Sequence, residues 1–258
     1  MTDLTQRLAG RVAVVTGGGG GIGLAAARRM RAEGATIVIG DIDPAAGIAV
    51  ADELDGLFVP VDVSEQADVD VLFDTAADTF DSVDIVFNNA GISPPEDDLI
   101  ENTELWAWQR VQDVNLKSVY LCCRAALRYM VPAGKGSIIN TASFVAVMGS
   151  ATSQISYTAS KGGVLAMSRE LGVQYARQGI RVNALCPGPV NTPLLQELFA
   201  ADPERAARRL VHVPLGRFAE PEEIAAAVAF LASDDASFIT ASTFLVDGGI
   251  SSAYVTPL

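Results

Sequence analysis

Short apolar runs alternate with segments of helical spacing along the whole chain, and this alternation constrains the fold more than any single motif. RVAVVT (11–16), ATIVIGD (35–41), LFVPVD (57–62), VDIVFNN (83–89), GSIINTAS (136–143), IRVNALC (180–186) and TFLVDGG (243–249) read as strands. GIGLAAARRMRAEG (21–34), AAGIAVADEL (45–54), DVDVLFDTAADTF (68–80), a stretch from about 105 to 131, another from about 157 to 177, and PEEIAAAVAFLAS (221–233) carry the spacing of helices. Strands that are apolar on both faces and separated by helices belong to a parallel sheet covered on both sides. The expected fold class is α/β, a doubly wound parallel sheet of about seven strands, with residues 1–258 forming one domain. Residues 193–212 read as a helical excursion on the substrate side, and 250–258 as a C-terminal tail.

Half of the 258 residues are apolar and 19% are charged, which supports a large core. The net charge of −13 argues against nucleic acid or an anionic membrane as partner, because phosphate neutralisation needs an excess of Lys and Arg. No apolar run approaches the ~20 residues of a bilayer span. The start, MTDLTQRLAGRVAVV, has no apolar core behind a basic segment, so a cytoplasmic location is expected. Cys122, Cys123 and Cys186 are expected to be reduced, buried thiols. With His212 as the single histidine, and neither CxxC nor HExxH, no metal site is expected.

The first strand runs into VVTGGGGGIG (14–23), five consecutive glycines where a helix begins. Glycines at a strand-to-helix turn let backbone approach a pyrophosphate, and the helix N-terminus supplies N–H donors. The run fits two templates, Gly18-x-Gly20-x-x-Gly23 and Gly17-x-x-x-Gly21-x-Gly23, and by itself does not choose between them. Asp41 ends the second strand 18 residues after Gly23, close to the ~20-residue interval of a carboxylate that bonds ribose hydroxyls. A carboxylate there repels the extra phosphate of NADP, and Gly20 offers no cation to hold it, so NAD is the expected cofactor.

Tyr157-Thr-Ala-Ser-Lys161 puts a phenol and an ammonium on one helix face. A phenol with a pKa near ~10 is a poor proton donor and acceptor at neutral pH, and a cation one turn away favours its phenolate. Ser143 lies 14 residues earlier, at the C-terminal end of the fifth strand, the sheet edge where ligands bind.

With these pieces in hand the chain resembles the short-chain dehydrogenase/reductase family, a single-domain Rossmann fold, and within it the 3-oxoacyl-(acyl-carrier-protein) reductase-like branch. TGGGGGIG (16–23) is similar to the family's TGxxxGxG turn, Asp62-Val63 to its acidic adenine contact, and Asn88-Asn89-Ala90-Gly91 to its NNAG segment. Asn115, Ser143, Tyr157 and Lys161 follow in the family's order. Pro187-Gly188 with Val190 and Thr192 resembles its nicotinamide loop, and Val246-Asp247-Gly248-Gly249 its last strand. One departure is Ala241 after Thr240, where the family often has glycine; it bears on the local turn and leaves the catalytic set untouched.

The resemblance implies Gly17, Gly21 and Gly23 as the cradle, with Ile22 between them, and Asn89, Ala90 and Gly91 as further cofactor contacts. It implies Tyr157 as general acid/base between a secondary alcohol and a ketone. Lys161 would lower the phenol's pKa and bind the nicotinamide ribose, Ser143 would bond the substrate oxygen, and Asn115 would hold a water relaying protons from Lys161. It also implies a homotetramer packed through the long helices. Residues expected near the substrate are Phe144, Ala146, Gln154, Pro189, Leu194, Leu195, Leu198 and Phe199. They are mostly apolar and suit a 3-hydroxyacyl/3-oxoacyl or similar hydroxy or keto compound, with a polyol, sugar or alicyclic alcohol as the alternative. A rival of another class, a non-catalytic NAD-sensing protein, would be expected to have lost part of the Asn115–Ser143–Tyr157–Lys161 set. The tail ending AYVTPL could reach a neighbouring subunit's pocket.

Overall fold

The computed structural model describes residues 6–150, 152–192, 195–196, 204 and 210–254. Seven strands, β1 (Val12–Thr16), β2 (Thr36–Asp41), β3 (Leu57–Pro60), β4 (Ile85–Asn88), β5 (Gly136–Thr141), β6 (Ile180–Pro187) and β7 (Thr243–Val246), form one sheet in the order β3-β2-β1-β4-β5-β6-β7. Every pairing is parallel. Seven α-helices accompany them among the described residues: α1 (Gly21–Ala32), α2 (Pro44–Leu54), α3 (Gln66–Phe80), α4 (Leu105–Gln112), α5 (Ser118–Ala133), α6 (Ile155–Tyr175) and α7 (Pro221–Ala232). The strand ends expected at 62, 89 and 249 fall one to three residues earlier, at Pro60, Asn88 and Val246.

The strand alternation divides the core in two. Val12 and Val14 of β1 pack with α3 and α5 on one face, while Ala13 and Val15 pack with α1 and α7 on the other. β5 and β6 are buried along almost their whole length, the mark of strands covered on both faces. The chain reverses its order across the sheet between β1 and β4, and the loops leaving their C-terminal ends open a crevice there.

Helix starts explain several local choices. Asp43 accepts from the amides of Ala45 and Ala46, with Pro44 opening α2, so Asp43 is a capping residue. Glu220 and Glu223 form a capping box ahead of α7. α1 begins differently: its cap is Gly20, and no side chain satisfies its first amides.

The long helical stretch expected from 105 to 131 is present, but it contains an extra residue. Between α4 and α5, Asp113–Lys117 forms a π-turn in otherwise helical backbone, with the Ser118 amide bonding the Asp113 carbonyl. Ala241 occupies a left-handed conformation (φ +57°), the geometry that glycine adopts without a Cβ penalty. Its amide donates to the Val182 carbonyl, and Gly172 comes so close that a Cβ there would lie 2.6 Å from the Ala241 nitrogen. Ala241→Gly is therefore expected to stabilise the fold by about 0.5–1 kcal/mol, read as a higher urea midpoint at unchanged slope.

Candidate active site

The crevice consists of two joined cavities. One, about 980 Å³, is lined by Gly17, Gly21, Ile22, Ser143, Tyr157 and Lys161 among others; the second, about 750 Å³, is lined by Asp41, Asp62 and Val63. They share Gly17, Ala90, Gly91 and Ile92. Asn89, Pro187, Gly188, Val190 and Thr192 also line the first. Gly23 and Asn115 stand behind the walls instead of in them.

The glycines have distinct duties. Gly17 has φ +63°, and a Cβ there would meet the Ala90 Cα at 2.9 Å. Gly21 also has a positive φ, +52°. Gly23 turns its missing Cβ toward the Gly17 carbonyl, which would lie 2.1 Å away, so it sets the packing of α1 on the turn. A side chain on Gly20 would meet nothing within 4 Å. Asp41 faces this turn: one carboxylate oxygen accepts from the Gly19 amide at 2.8 Å and the other from the Asp43 amide at 3.0 Å. The opposite rim is braced from below. Thr16 Oγ1 accepts from the amides of Asn89 and Ala90, and Asn89 Nδ2 donates to the carbonyls of Thr16 and Gly17. Asp62 shapes its loop by accepting from Ser64.

This arrangement fits a dinucleotide. A glycine cradle faces uncapped helix amides at its centre, and carboxylates stand at the end where ribose hydroxyls would lie.

At the other end, α6 carries Tyr157 and Lys161 toward the C-terminal end of β5. Lys161 is 3% exposed, its Nζ donates to the Thr141 carbonyl at 2.7 Å, and it lies 5.6 Å from the centre of the Tyr157 ring. Burial pushes the Lys161 ammonium down to about 8, opposed by the neighbouring Cys186. Burial also pushes the Cys186 thiol up to about 11, so at pH 7 it is neutral and its opposing effect on Lys161 is confined to alkaline pH. Ser143 lies on the same wall, its Oγ accepting from the Val145 amide at 3.4 Å.

Asn115 sits in the π-turn and is fully buried. Its Oδ1 accepts from the Ile92 amide at 2.8 Å, and its Nδ2 donates to the Ile92 carbonyl and to Ser160 Oγ. It thus ties the loop after β4 to α6, and Gly91 leaves room for Asn115 and Lys161 side by side.

Toward solvent the first cavity is walled by Phe144, Met148, Gln154, Pro189, Leu195 and His212. Ala146, in the same short turn as Phe144, packs against the core instead. Leu194, Leu198 and Phe199, with most of the 193–212 excursion, lie outside the described residues. The tail after β7 folds back on its own chain. Asp247 accepts from Gly249 and Ser251, and this turn brings Ile250 and Ala253 into the cavity wall. Residues 255–258 lie outside the described set.

Sequence reading missed Asp97 and Ile92, and it gave Thr16 only as part of the glycine turn, without its bonds to the Asn89 and Ala90 amides. Asp97 bonds backbone amides of a distant segment, and Ile92 offers its own amide and carbonyl to Asn115, so neither shows a local pattern.

The comparisons agree with this geometry. A family model described as enoyl-(acyl carrier protein) reductase matches residues 17–251. Cis-4-hydroxycyclohexanecarboxylate dehydrogenase of Sinomonas cyclohexanicum is 44% identical over 95% of this chain and 98% of its own. The 3-oxoacyl-[acyl-carrier-protein] reductase of Chlamydia pneumoniae is 39% identical over 96% of this chain and 99% of its own. The crystal structure of levodione reductase superposes with a TM-score of 0.89 at 36% identity, covering 96% of this chain and all of that one. The chain belongs to the short-chain dehydrogenase/reductase family, oxidoreductases that act on CH–OH groups with a nicotinamide cofactor.

Proposed function

We propose that the protein interconverts a secondary alcohol and its ketone with NAD as coenzyme, Tyr157 passing the proton. The carrying observation is the buried Lys161 ammonium 5.6 Å from the Tyr157 ring, in the cavity that Ser143 also lines. A bound nicotinamide supplies or accepts the hydride. In the reducing direction Tyr157 gives its hydroxyl proton to the substrate oxygen, held by a hydrogen bond from Ser143. The resulting phenolate is stabilised by Lys161; in oxidation the phenolate takes the proton back. The proton relay from Lys161 toward solvent would run through a water held near Asn115, whose own side chain is bonded to Ile92 and Ser160.

The relatives support a compact, largely apolar substrate. Two of them act, by name, on substituted six-membered rings or acyl chains, and Phe144, Met148, Pro189 and Leu195 offer apolar walls of that kind. An alicyclic secondary alcohol is the reading that the hydroxycyclohexanecarboxylate relative favours, and a 3-hydroxyacyl compound is the second. A panel of both classes, run in both directions with NAD(H) and NADP(H), tests the proposal. Turnover of none of them would favour the NAD-sensing alternative.

Coenzyme choice rests on Asp41 and the open space at Gly20. The double variant Asp41→Ser, Gly20→Arg is expected to move the ratio of kcat/KM for NAD over NADP by at least ~10²-fold toward NADP. This removes a like charge from the 2′-phosphate and supplies a cation to it. A ratio that does not move would end the role assigned to Asp41. We further propose a cytoplasmic homotetramer; the assembly is supported by the apolar side chains that α4, α5 and α6 expose, Leu105, Trp106, Tyr120 and Val173. Light scattering on the purified chain measures the assembly. No helix among the described residues is long and apolar enough to cross a membrane.

A further inference from the structure

The first turn of α6 is capped by another segment of the chain. A helix start leaves backbone amides without intrahelical partners, and the local cap, Gln154, offers no side-chain bond to them. The partners come from the loop after β4. The Ile155 amide donates to the Asp98 carbonyl at 3.3 Å, the Ser156 amide to Asp97 Oδ1 at 2.8 Å, and the Tyr157 amide to Asp97 Oδ2 at 2.7 Å. The Thr158 amide already reaches the Gln154 carbonyl. One buried carboxylate, 4% exposed, therefore spans two consecutive amides about 60 residues away in sequence.

Asp97 is itself fixed. Its amide donates to the Pro94 carbonyl, and the following Asp98 amide donates to Thr103 Oγ1. The Ser156 side chain is held separately, donating to the Trp108 carbonyl and accepting from Gln112 Nε2. Asp97 also lines the larger cavity, so this clamp borders the space where substrate would sit.

We infer that Asp97 is a positioning residue for the reaction: its carboxylate clamps the Ser156 and Tyr157 amides and thereby fixes where the Tyr157 hydroxyl meets the substrate oxygen. The inference rests on the reading of Tyr157 as the proton-passing group. Its effect is confined to the first turn. Lys161 lies one turn further along α6 and has its own anchor at the Thr141 carbonyl, so coenzyme contacts on that side do not depend on Asp97. Charge-assisted bonds to backbone amides are short and directional, which suits a clamp better than a hydroxyl cap would.

The test uses the full chain with an alcohol that the wild type oxidises, comparing Asp97→Ala, Asp97→Asn and Tyr157→Phe. Asp97→Ala is expected to lower kcat by ~10- to 100-fold, the scale of a small misplacement of a reacting group. The NADH dissociation constant, read by fluorescence titration, is expected to stay within about twofold of wild type. Asp97→Asn keeps one acceptor and is expected to fall between the two, which preserves the test if the alanine variant does not fold. Added formate, entering the space left by the carboxylate, is expected to restore part of kcat in Asp97→Ala and none in Tyr157→Phe.

Asp97 variants with kcat within threefold of wild type would overturn the inference. So would a parallel loss of kcat and NADH binding without formate rescue, since that pattern belongs to a general folding role. Turnover retained by Tyr157→Phe would instead overturn the reading of Tyr157, whatever the Asp97 variants do.

Discussion

Lys161→Met is expected to raise the melting temperature of the coenzyme-free protein while removing turnover. The Lys161 ammonium is almost wholly buried, and among the described residues its hydrogen bond goes to a carbonyl and not to a carboxylate. A group that titrates at 10.5 in water and at about 8 in the fold carries a burial cost of about 3 kcal/mol at pH 7. Methionine fills similar volume without that cost, while the Thr141 carbonyl loses a bond worth about 1 kcal/mol. A net gain on the order of 1–2 kcal/mol corresponds to several degrees for a chain of this size. Turnover should fall by ~10²- to 10⁴-fold, because the Tyr157 phenolate loses its cation.

The same burial fixes the sign of a pH effect. Between pH 8 and 10.5 the unfolded chain holds the Lys161 proton and the folded chain does not, so stability should climb as pH rises through that window. Denaturant titrations of wild type and Lys161→Met at pH 7, 8, 9 and 10 isolate this increment, which the variant should lack. A variant less stable than wild type at pH 7 would refute the cost assigned to the buried ammonium.

Gly23→Ala is expected to weaken NADH binding by at least ~10²-fold and to cost about 3 kcal/mol or more of stability. The added carbon would lie 2.1 Å from the Gly17 carbonyl and 2.8 Å from Asn89 Nδ2. The first of these is backbone held in the turn, so relief requires moving α1 off the sheet, the severe end of overpacking. Three residues earlier the outcome reverses. Gly20 has extended backbone (φ −164°) and open space around a Cβ, so Gly20→Ser should hold stability within about 0.5 kcal/mol. Fluorescence titration and urea unfolding of the pair provide the comparison. Equal losses in both variants would mean that the run acts as an undifferentiated flexible turn.

That pair also marks how far the sequence could be read. Strand positions were legible because burial on both faces leaves an apolar run in central strands such as β5 and β6, and the edge strands β3 and β7 keep apolar residues although they are only partly buried. Tyr157, Lys161 and Ser143 stood out because their chemistry is tied to short spacings and to one sheet edge. The five glycines were not separable by spacing, since a glycine run satisfies any template. Only the approach of Gly17 to Ala90, and of Gly23 to Gly17, assigns their duties. Asp97 was invisible for a related reason: its partners are amides about 60 residues away, and no local pattern records a backbone partner. The π-turn hid as well, because its residues keep helical dihedral angles and helical composition. Ala241 was flagged by the sequence as a departure, and the structure supplies its meaning in a left-handed backbone.

The π-turn at Asp113–Lys117 also limits how this chain can change in length. An α-helix advances about 100° per residue, so removing one residue there would let α4 and α5 join as a single regular helix while turning one against the other by about that angle. Asn115 could not then face both Ile92 and Ser160, which it now bridges. Surface loops elsewhere can gain or lose residues at little thermodynamic cost. This helix behaves as a fixed-length spacer, with a residue count set by the crevice that it borders and not by its own stability.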